Sequence, residues 1–337
     1  MKKIIIIISA VFLLASCEKV LLEKDPANNP FENFESLWKT ANEKYSFFEY
    51  KNIDWDEVYN IYRPQINDNM SDEHLFYVLG NMLTELRDGH VNLVSPFNIS
   101  RYSFQYPNPE NFNFRLLKDN YIGWDYNITG PLINTFIERS GHLIGYIYYG
   151  SFSQMVSTWH IDYVISRFRN TKGIILDMRS NGGGTVTNIH TIGSRFADKK
   201  RLIYSSALKN GSGHNDFGDP AEVYMEPGGS RQYTNKVTFL TNRGCFSATS
   251  LFSTAMKAFP HIIQTGDTTG GGLGAPAGFE LPNGWSYRFS CSRTISADGH
   301  NWEDGVPPDI VVWMDPQNEA QGIDDIMERA IEEIIED

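Results

Sequence analysis

The sequence predicts an α/β fold in which a mostly parallel sheet with crossover helices follows an N-terminal helical region. Three observations predict this class. Apolar residues recur at helical spacing through residues 31–90. The segment "GIILDMR" (Gly173–Arg179) is a short, continuously apolar strand, which is typical of a buried parallel sheet. From there onward strands alternate with helices, and this order implies right-handed βαβ crossovers.

The helical region is clearest after Ser71, a favourable N-cap that is followed by two acidic residues in the first turn. We expect Gly89 to end this helix as its C′ residue. Residues 91–141 are predicted to be a β-rich connecting region, and 142–337 the α/β domain. Other predicted elements are helices at Glu32–Glu49, Asp54–Gln65, Gln154–Arg169 and Val186–Phe196, and a hairpin turn at Pro282-Asn283-Gly284.

The N-terminus, "MKKIIIIISAVFLLASC", has two lysines before an apolar run and therefore resembles an export signal. The run is shorter than the ~20 residues that span a bilayer. Leu14-Ala15-Ser16-Cys17 resembles the lipobox of bacterial lipoproteins, whose cysteine is lipidated. We therefore expect a signal peptide at 1–16, lipidation at Cys17, a tether at 17–30 and a membrane anchor facing the periplasm or cell surface. The alternative is ordinary secretion with a chance cysteine.

Composition excludes several functions. A net charge of −12, with no Lys/Arg cluster beyond the short "DKKR" (Asp198–Arg201), argues against a nucleic-acid partner, and 41% hydrophobic residues predict a folded core. No cysteine pair has zinc spacing and no His-Glu-x-x-His occurs, so we expect no metal and no cofactor. Beyond Cys17, Cys245 and Cys291 could form a disulfide or remain two buried thiols.

One junction concentrates reactive groups. The segment "TNRGCFSATSLF" lies between a predicted strand, "KVTFL", and a predicted helix that runs to about Phe259. It carries Cys245, Ser247, Thr249 and Ser250. A nucleophilic serine at a strand–helix turn would be exposed beside unpaired helix N–H groups. A serine before a helix is by default an N-cap, so the local sequence alone favours that simpler interpretation.

Five segments that occur in one order along the chain favour the nucleophile over the N-cap interpretation. They are "TELRDGHVNL", "GIILDMRSNGGG", "FLTNRGCFSATSLF", "GDTTGGGLGAP" and "DGVPPDIVV". Together they resemble the serine peptidase family of the C-terminal-processing proteases and the tricorn protease core. The resemblance covers about residues 80–315. It implies a ClpP/crotonase-like α/β fold behind a helical region, and hydrolysis of a peptide or protein substrate through a serine acyl-enzyme.

The resemblance also implies roles for individual residues. Ser247 matches the serine of the family's Ser-Ala-x-Glu motif and would be the nucleophile. Some relatives use a lysine as the base, but the matching position here is Gly272 and the loop around it has no lysine. The tricorn-like alternative is a histidine, here His90 in "RDGHV", as the general base. Glu303, shortly before "DGVPPD", would be the supporting acid, or else a solvated turn residue.

The glycines of "RSNGGG" would let the backbone approach a substrate carbonyl. The resemblance implies an oxyanion hole made by an N–H of this loop, with Gly183 as the first choice, and by the N–H of Ala248. A phosphate-binding turn is the competing interpretation, but it lacks the Gly-x-Gly-x-x-Gly spacing.

Several departures from the family keep a second hypothesis open. Ser250 replaces the motif's glutamate, Gly89 replaces a serine before the histidine, and Glu303 lies one place closer to Gly305 than in the tricorn pattern. The segment Ser95–Gly141 is too short for the peptide-binding PDZ module that many relatives carry. These departures favour the alternative of a catalytically silent, peptide-binding lipoprotein with the same fold.

Overall fold

The computed structural model describes residues 26–104 and 110–336. The expected signal peptide, the lipidation site Cys17 and most of the tether lie outside the described residues. Within the described ranges, no helix combines the length and the apolar character needed to cross a membrane.

The N-terminal region contains three helices, α1 (Pro30–Lys44), α2 (Trp55–Tyr62) and α3 (Asp72–Thr84). Their N-termini are capped by side chains, and the sequence predicts the cap at Ser71. Ser71 Oγ accepts a hydrogen bond from the His74 N–H at 3.2 Å, and Asp54 caps α2 in the same way. The three helices bury their apolar residues in one shared cluster, and the caps fix where each helix begins.

Gly89 does not end α3, so that prediction is wrong. The helix ends five residues earlier, and Arg87 takes the left-handed conformation there, with φ 49°. Gly89 is needed for space instead. A Cβ atom at this position would lie 2.4 Å from the Phe104 ring and 2.7 Å from the Phe246 ring. The glycine therefore lets the chain before His90 approach the segment that carries Ser247.

Fourteen strands follow in the described residues and form three sheets. The bounds are β1 Asn92–Val94, β2 Ile99–Arg101, β3 Asn127–Thr129, β4 Leu132–Arg139, β5 His142–Tyr148, β6 Gly173–Asp177, β7 Arg201–Leu208, β8 Ala221–Met225, β9 Lys236–Thr241, β10 Ile262–Gly266, β11 Pro276–Glu280, β12 Ser286–Ser290, β13 Ser292–Ser296 and β14 Ile310–Val311.

The central sheet has the order β14-β10-β9-β6-β5-β4-β3, and its first five strands are parallel. This confirms the predicted α/β class with a mostly parallel sheet behind a helical region. Strand β6 is buried along its whole length, as its apolar run predicts. The helices are α4 Phe114–Leu117, α5 Thr158–Arg167, α6 Thr187–Gly193, α7 Ala248–Met256, α8 Pro316–Ala320 and α9 Asp325–Ile335.

The predicted boundary at residue 141 does not correspond to a break in the structure. Strand β4 pairs with β5 across it, so β3 and β4 extend the central sheet. Strands β1 and β2 instead join β11 and β12 in a four-stranded antiparallel sheet. The connecting region therefore supplies strands to two sheets, because β4 pairs with the neighbouring β5 whereas β1 pairs with β12 from far along the chain. The hairpin turn predicted at 282–284 does join β11 to β12.

This topology brings distant segments to one place. Strands β6 and β9 are neighbours, so the loops after their carboxyl ends, 178–186 and 242–247, lie side by side. The four-stranded sheet packs with the N-terminal helices in a separate apolar cluster. It carries His90, which comes just before β1, to the opposite side of the same cleft.

Candidate active site

Ser247 lies between β9 and α7 in a strained backbone conformation, with φ 56° and ψ −118°. Non-glycine residues rarely adopt this region, and such strain concentrates at functional sites. Ser247 occupies the N-cap position, but its hydroxyl makes no capping hydrogen bond. The simpler interpretation of this serine as a helix cap therefore fails, because the side chain faces elsewhere.

The hydroxyl faces His90. Ser247 Oγ lies 3.0 Å from His90 Nε2, although 157 positions separate the two residues. This is the geometry that a serine nucleophile and its general base require. The structure thus brings together the two residues that the resemblance paired, and their catalytic roles stay a prediction.

Two further residues fix the imidazole, and the sequence analysis missed both. Asp88 Oδ1 accepts the backbone N–H of His90 at 2.8 Å, and Ser290 Oγ lies 3.3 Å from His90 Nδ1. Ser290 also donates to the Gly274 carbonyl at 3.3 Å, so its oxygen is free to accept from Nδ1–H. That arrangement leaves Nε2 as the acceptor for the Ser247 proton. Asp88 could have been found from its place two residues before the histidine, where aspartate often turns the backbone.

Burial lowers the pKa of His90 below its ordinary value of 6.5. Asp88 opposes this effect by raising the pKa, while the positive charge of Arg288 lowers it further. A lowered pKa keeps the imidazole neutral, and so able to accept a proton, into mildly acidic conditions.

Glu303 is buried, not solvated, but it makes no hydrogen bond to His90 among the described residues. Its Oε2 accepts the backbone N–H groups of Leu273 and Gly274 at 2.8 and 2.9 Å. Burial raises the pKa of Glu303 well above 4.5, and nearby Asp88 raises it further. Glu303 is therefore linked to His90 only indirectly. It accepts the Gly274 N–H, the Gly274 carbonyl accepts from Ser290, and Ser290 contacts His90, so Glu303 positions the loop.

The glycine loop approaches Ser247 closely, as predicted. A Cβ atom on Gly183, whose φ is 91°, would lie 2.5 Å from the Phe246 carbonyl oxygen and 3.0 Å from the Ala248 nitrogen. The Gly183 N–H itself donates to Asn181 Oδ1 at 3.0 Å. Ala248 is the first residue of α7, so its N–H has no partner within the helix. The role of both groups as an oxyanion hole stays a prediction.

Gly272, at the position of the lysine in some relatives, has no room for a side chain. Its φ is 74°, and a Cβ atom there would lie 2.4 Å from the Phe246 ring. That ring also packs against His90, with centroids 4.9 Å apart. The structure therefore has no room for a lysine base at this position.

The other reactive groups of the junction are buried. Ser250 Oγ donates a hydrogen bond to the Cys245 carbonyl oxygen at 3.1 Å and lies 3.0 Å from Thr269 Oγ1. Burial raises the pKa of the Cys245 thiol to about 12, so this sulfur is not a nucleophile at neutral pH. Cys245 and Cys291 are both free thiols.

Ser247 and His90 lie in a cleft of about 540 Å³. Gly182–Gly184 line one side and Gly272–Pro276 the other, while Arg288 stands at the edge. Apolar side chains such as Val186 and Leu251 complete the lining. The Ser247 hydroxyl therefore lies between two stretches of glycine-rich backbone.

Comparison with known proteins identifies the family. The family model for peptidase family S41 matches residues 143–312, which is half of the chain. The chain belongs to peptidase family S41. The model for the tricorn protease C1 domain matches residues 26–84, the helical region in front of the S41 peptidase domain.

Curated relatives of this chain include the carboxy-terminal processing protease CtpA of Bacillus subtilis, 27% identical over 185 residues. That match covers 54% of this chain but 38% of CtpA. The tricorn protease of Thermoplasma volcanium is 27% identical over 208 residues, which cover 59% of this chain and 18% of tricorn. The chain thus spans well under half the length of these relatives.

Solved structures extend the match over nearly the whole chain. One from Parabacteroides merdae has a TM-score of 0.86 and 41% identity, and covers 91% of this chain and 97% of its own. The structure of mature CPAF has a TM-score of 0.68 at 11% identity, covering 91% of this chain and 96% of its own, and so shares the fold. The predicted membership and fold are confirmed.

Proposed function

We propose that this chain is an exported serine peptidase that hydrolyses peptide bonds through a Ser247–His90 acyl-enzyme. The observation that carries the proposal is the 3.0 Å contact between Ser247 Oγ and His90 Nε2. His90 accepts the hydroxyl proton while Oγ bonds to the substrate carbonyl carbon. The Ala248 N–H and an N–H of the glycine loop stabilise the oxyanion, and His90 returns the proton to the leaving amine. Water then hydrolyses the ester and regenerates the hydroxyl.

The substrate class follows from family membership and from the cleft. Peptidase family S41 implies a peptide or protein substrate. The glycine-rich walls on both sides of Ser247 favour an extended chain, because backbone atoms can approach it without meeting side chains.

A second candidate is a peptide-binding protein that has lost turnover. It is favoured by Ser250 at the place of the motif's glutamate and by the lack of a hydrogen bond from Glu303 to His90 among the described residues. The strained conformation of Ser247 weighs against it, since strain of this kind costs on the order of 1–3 kcal/mol and would have no use in a silent binder.

Labelling with a fluorophosphonate probe separates the two candidates. The wild type should be labelled on Ser247, and Ser247→Ala should not react. Ser250→Ala is the matched control: it removes a hydroxyl three residues away that is fully buried, and it should still be labelled. A folded wild type that neither reacts with the probe nor cleaves a denatured protein substrate would support the silent binder.

We also propose that the protein is exported and anchored through a lipid on Cys17. The support is the sequence "LASC" after a short apolar run that follows two lysines. Intact-mass analysis of membrane-extracted protein tests this. An acylated N-terminal Cys17 is expected, and an unmodified terminus or cleavage elsewhere would exclude the anchor.

A further inference from the structure

Two arginines lie in one row across the four-stranded sheet, beside the catalytic cleft. Asn92 on β1 pairs with Arg101 on one side and with Arg288 on the other. Directly paired residues on antiparallel strands point to the same face, so all three side chains share one face. The strands that carry the arginines are about 10 Å apart, a gap that two long side chains can close from either side.

This face is not the one that packs on the helices. Leu93 and Tyr287, which alternate with the row, are buried in the apolar cluster, whereas both arginines are exposed. The row therefore faces solvent at the edge of the cleft.

Arg288 is held in place next to His90. Its Nε donates to the His90 carbonyl oxygen at 3.1 Å. A guanidinium has five N–H donors, so four remain for another partner. Within residues 26–104 and 110–336, no acidic side chain forms an ion pair with either arginine, and Arg101 makes no side-chain hydrogen bond. Glu280 on β11 lies on the same face, but it pairs with Ser286, which is two residues before Arg288 on β12.

The two arginines also share a cavity. A space of about 330 Å³ is lined by Asn92, Arg101, Tyr102 and Arg288. It adjoins the catalytic cleft, because Gly89 and Arg288 line both. A substrate group that leaves the cleft past Arg288 enters this cavity.

We propose that Arg288 and Arg101 form a subsite that binds a carboxylate of the substrate close to the scissile bond. This inference rests on the proposed peptidase function and names its substrate class. Arginine matches a carboxylate with two parallel hydrogen bonds, and two unpaired guanidinium groups in a chain of net charge −12 concentrate positive charge where the substrate binds. The carboxylate belongs either to an aspartate or glutamate side chain or to the substrate's C-terminus.

The test uses quenched fluorescent peptides of one cleavable sequence. A neutral, C-terminally amidated peptide is the reference. In one arm, a single Asp replaces each residue within three positions of the cleaved bond. In the other arm, the neutral peptide keeps a free C-terminal carboxylate one to three residues from that bond. We expect kcat/KM for at least one carboxylate peptide to exceed that of the reference about tenfold or more.

Variants assign the preference to the arginines. Arg101→Gln and Arg288→Gln should each reduce the ratio of kcat/KM between the carboxylate peptide and the reference toward one. Arg101→Glu should invert it in favour of a lysine peptide. Arg231→Gln, an exposed arginine that lines neither cavity, is the control for the change in net charge and should keep the wild-type ratio. Because Arg101 does not contact His90, its effect separates substrate binding from positioning of the base.

The outcomes are distinguishable from failure of the peptidase function. Preference in the Asp arm assigns the subsite to acidic side chains, and preference in the other arm assigns it to C-terminal carboxylates. If Ser247 reacts with the fluorophosphonate but neither arm shows a preference, or if the preference survives both Arg→Gln changes, the subsite is wrong and the peptidase stands. If the wild type neither reacts with the probe nor cleaves any peptide, the peptidase function itself fails.

Discussion

Two buried clusters of charged groups lie on neighbouring parts of this fold and are built differently. The Arg179 cluster consists of Arg179, Asp177 and Asp324, all fully buried. Its guanidinium meets Asp177 Oδ2 at 2.7 Å and Asp324 Oδ2 at 2.9 Å. The His90 cluster consists of Asp88, His90 and Glu303. Its two carboxylates are buried, and Lys51, whose charge lowers the pKa of Glu303, forms its ion pair with the exposed Asp304 instead.

The difference appears in the protonation of the two clusters. In the Arg179 cluster each charge has a direct partner, which offsets the cost of burial, although burial still raises the pKa of Asp324. In the His90 cluster burial pushes groups toward their neutral forms: it lowers the pKa of His90 and raises the pKa of Glu303. The direct ion pairs of the Arg179 cluster tie the end of β6 to the start of α9, whereas the shifted pKa values of His90 and Glu303 are of the kind that acid–base chemistry uses.

The largest expected effect comes from breaking the paired cluster. Arg179→Met removes the cation and leaves two carboxylates buried without it. The free energy of unfolding, measured with urea, should fall by about 3–5 kcal/mol. Arg201→Met is the matched control, since Arg201 pairs with Asp198 at 2.8 Å but is partly exposed. It should cost about 0–1 kcal/mol. Equal costs for the two variants would contradict the contrast between the clusters.

The next effect concerns the acceptor role of Glu303. Glu303→Ala leaves the N–H groups of Leu273 and Gly274 buried and unpaired, which costs on the order of 1–3 kcal/mol in unfolding free energy. Glu303→Gln keeps an acceptor oxygen and should fold as well as the wild type.

The pH dependence of stability checks the same residue. A carboxyl whose pKa is raised in the folded state stabilises the fold below its unfolded pKa, and that contribution is lost as pH rises through the folded pKa. Glu303→Gln should remove this decline above about pH 4.5. A decline that persists unchanged in Glu303→Gln would show that another group causes it.

A smaller effect is expected from Asp88→Asn. The variant keeps an oxygen for the His90 backbone N–H but loses the negative charge that raises the His90 pKa. The acidic limb of the pH profile of kcat/KM should therefore move to lower pH. Maximal activity should fall less than about tenfold, because Asp88 lies 3.9 Å from His90 Nδ1 and Ser290 holds that nitrogen. A shift to higher pH, or a loss of several orders of magnitude, would overturn this assignment.

Only part of the fold and of the candidate site could be predicted from the sequence. Strand β6 was predictable because its continuous apolar run is a local pattern. Ser247 and His90 were predictable only from the resemblance of five segments to a known family, since the local sequence at Ser247 favoured an N-cap. Gly89 was misassigned because a space requirement against Phe246, 157 residues away, looks like a helix end in sequence.

Ser290 and Arg288 could not be found from sequence, because both depend on the pairing of β12 with β1. That register joins residues about 200 positions apart, such as Asn92 and Arg288, and antiparallel pairing leaves no signature in a single sequence. Glu303 was predicted as a site residue, but its hydrogen bonds with the N–H groups of Leu273 and Gly274 were not. The sequence does not show which backbone groups a buried carboxylate will contact.

The central claim is that Ser247 and His90 act as one unit, and a double-mutant comparison of peptide hydrolysis tests it most directly. Ser247→Ala and His90→Ala should each lower kcat by on the order of 10⁴ or more, and the double variant should lose little beyond either. His74→Ala changes an exposed histidine that does not line the cleft, so it is the control and should keep full activity. Additive losses in the double variant, or full activity in His90→Ala, would contradict the account.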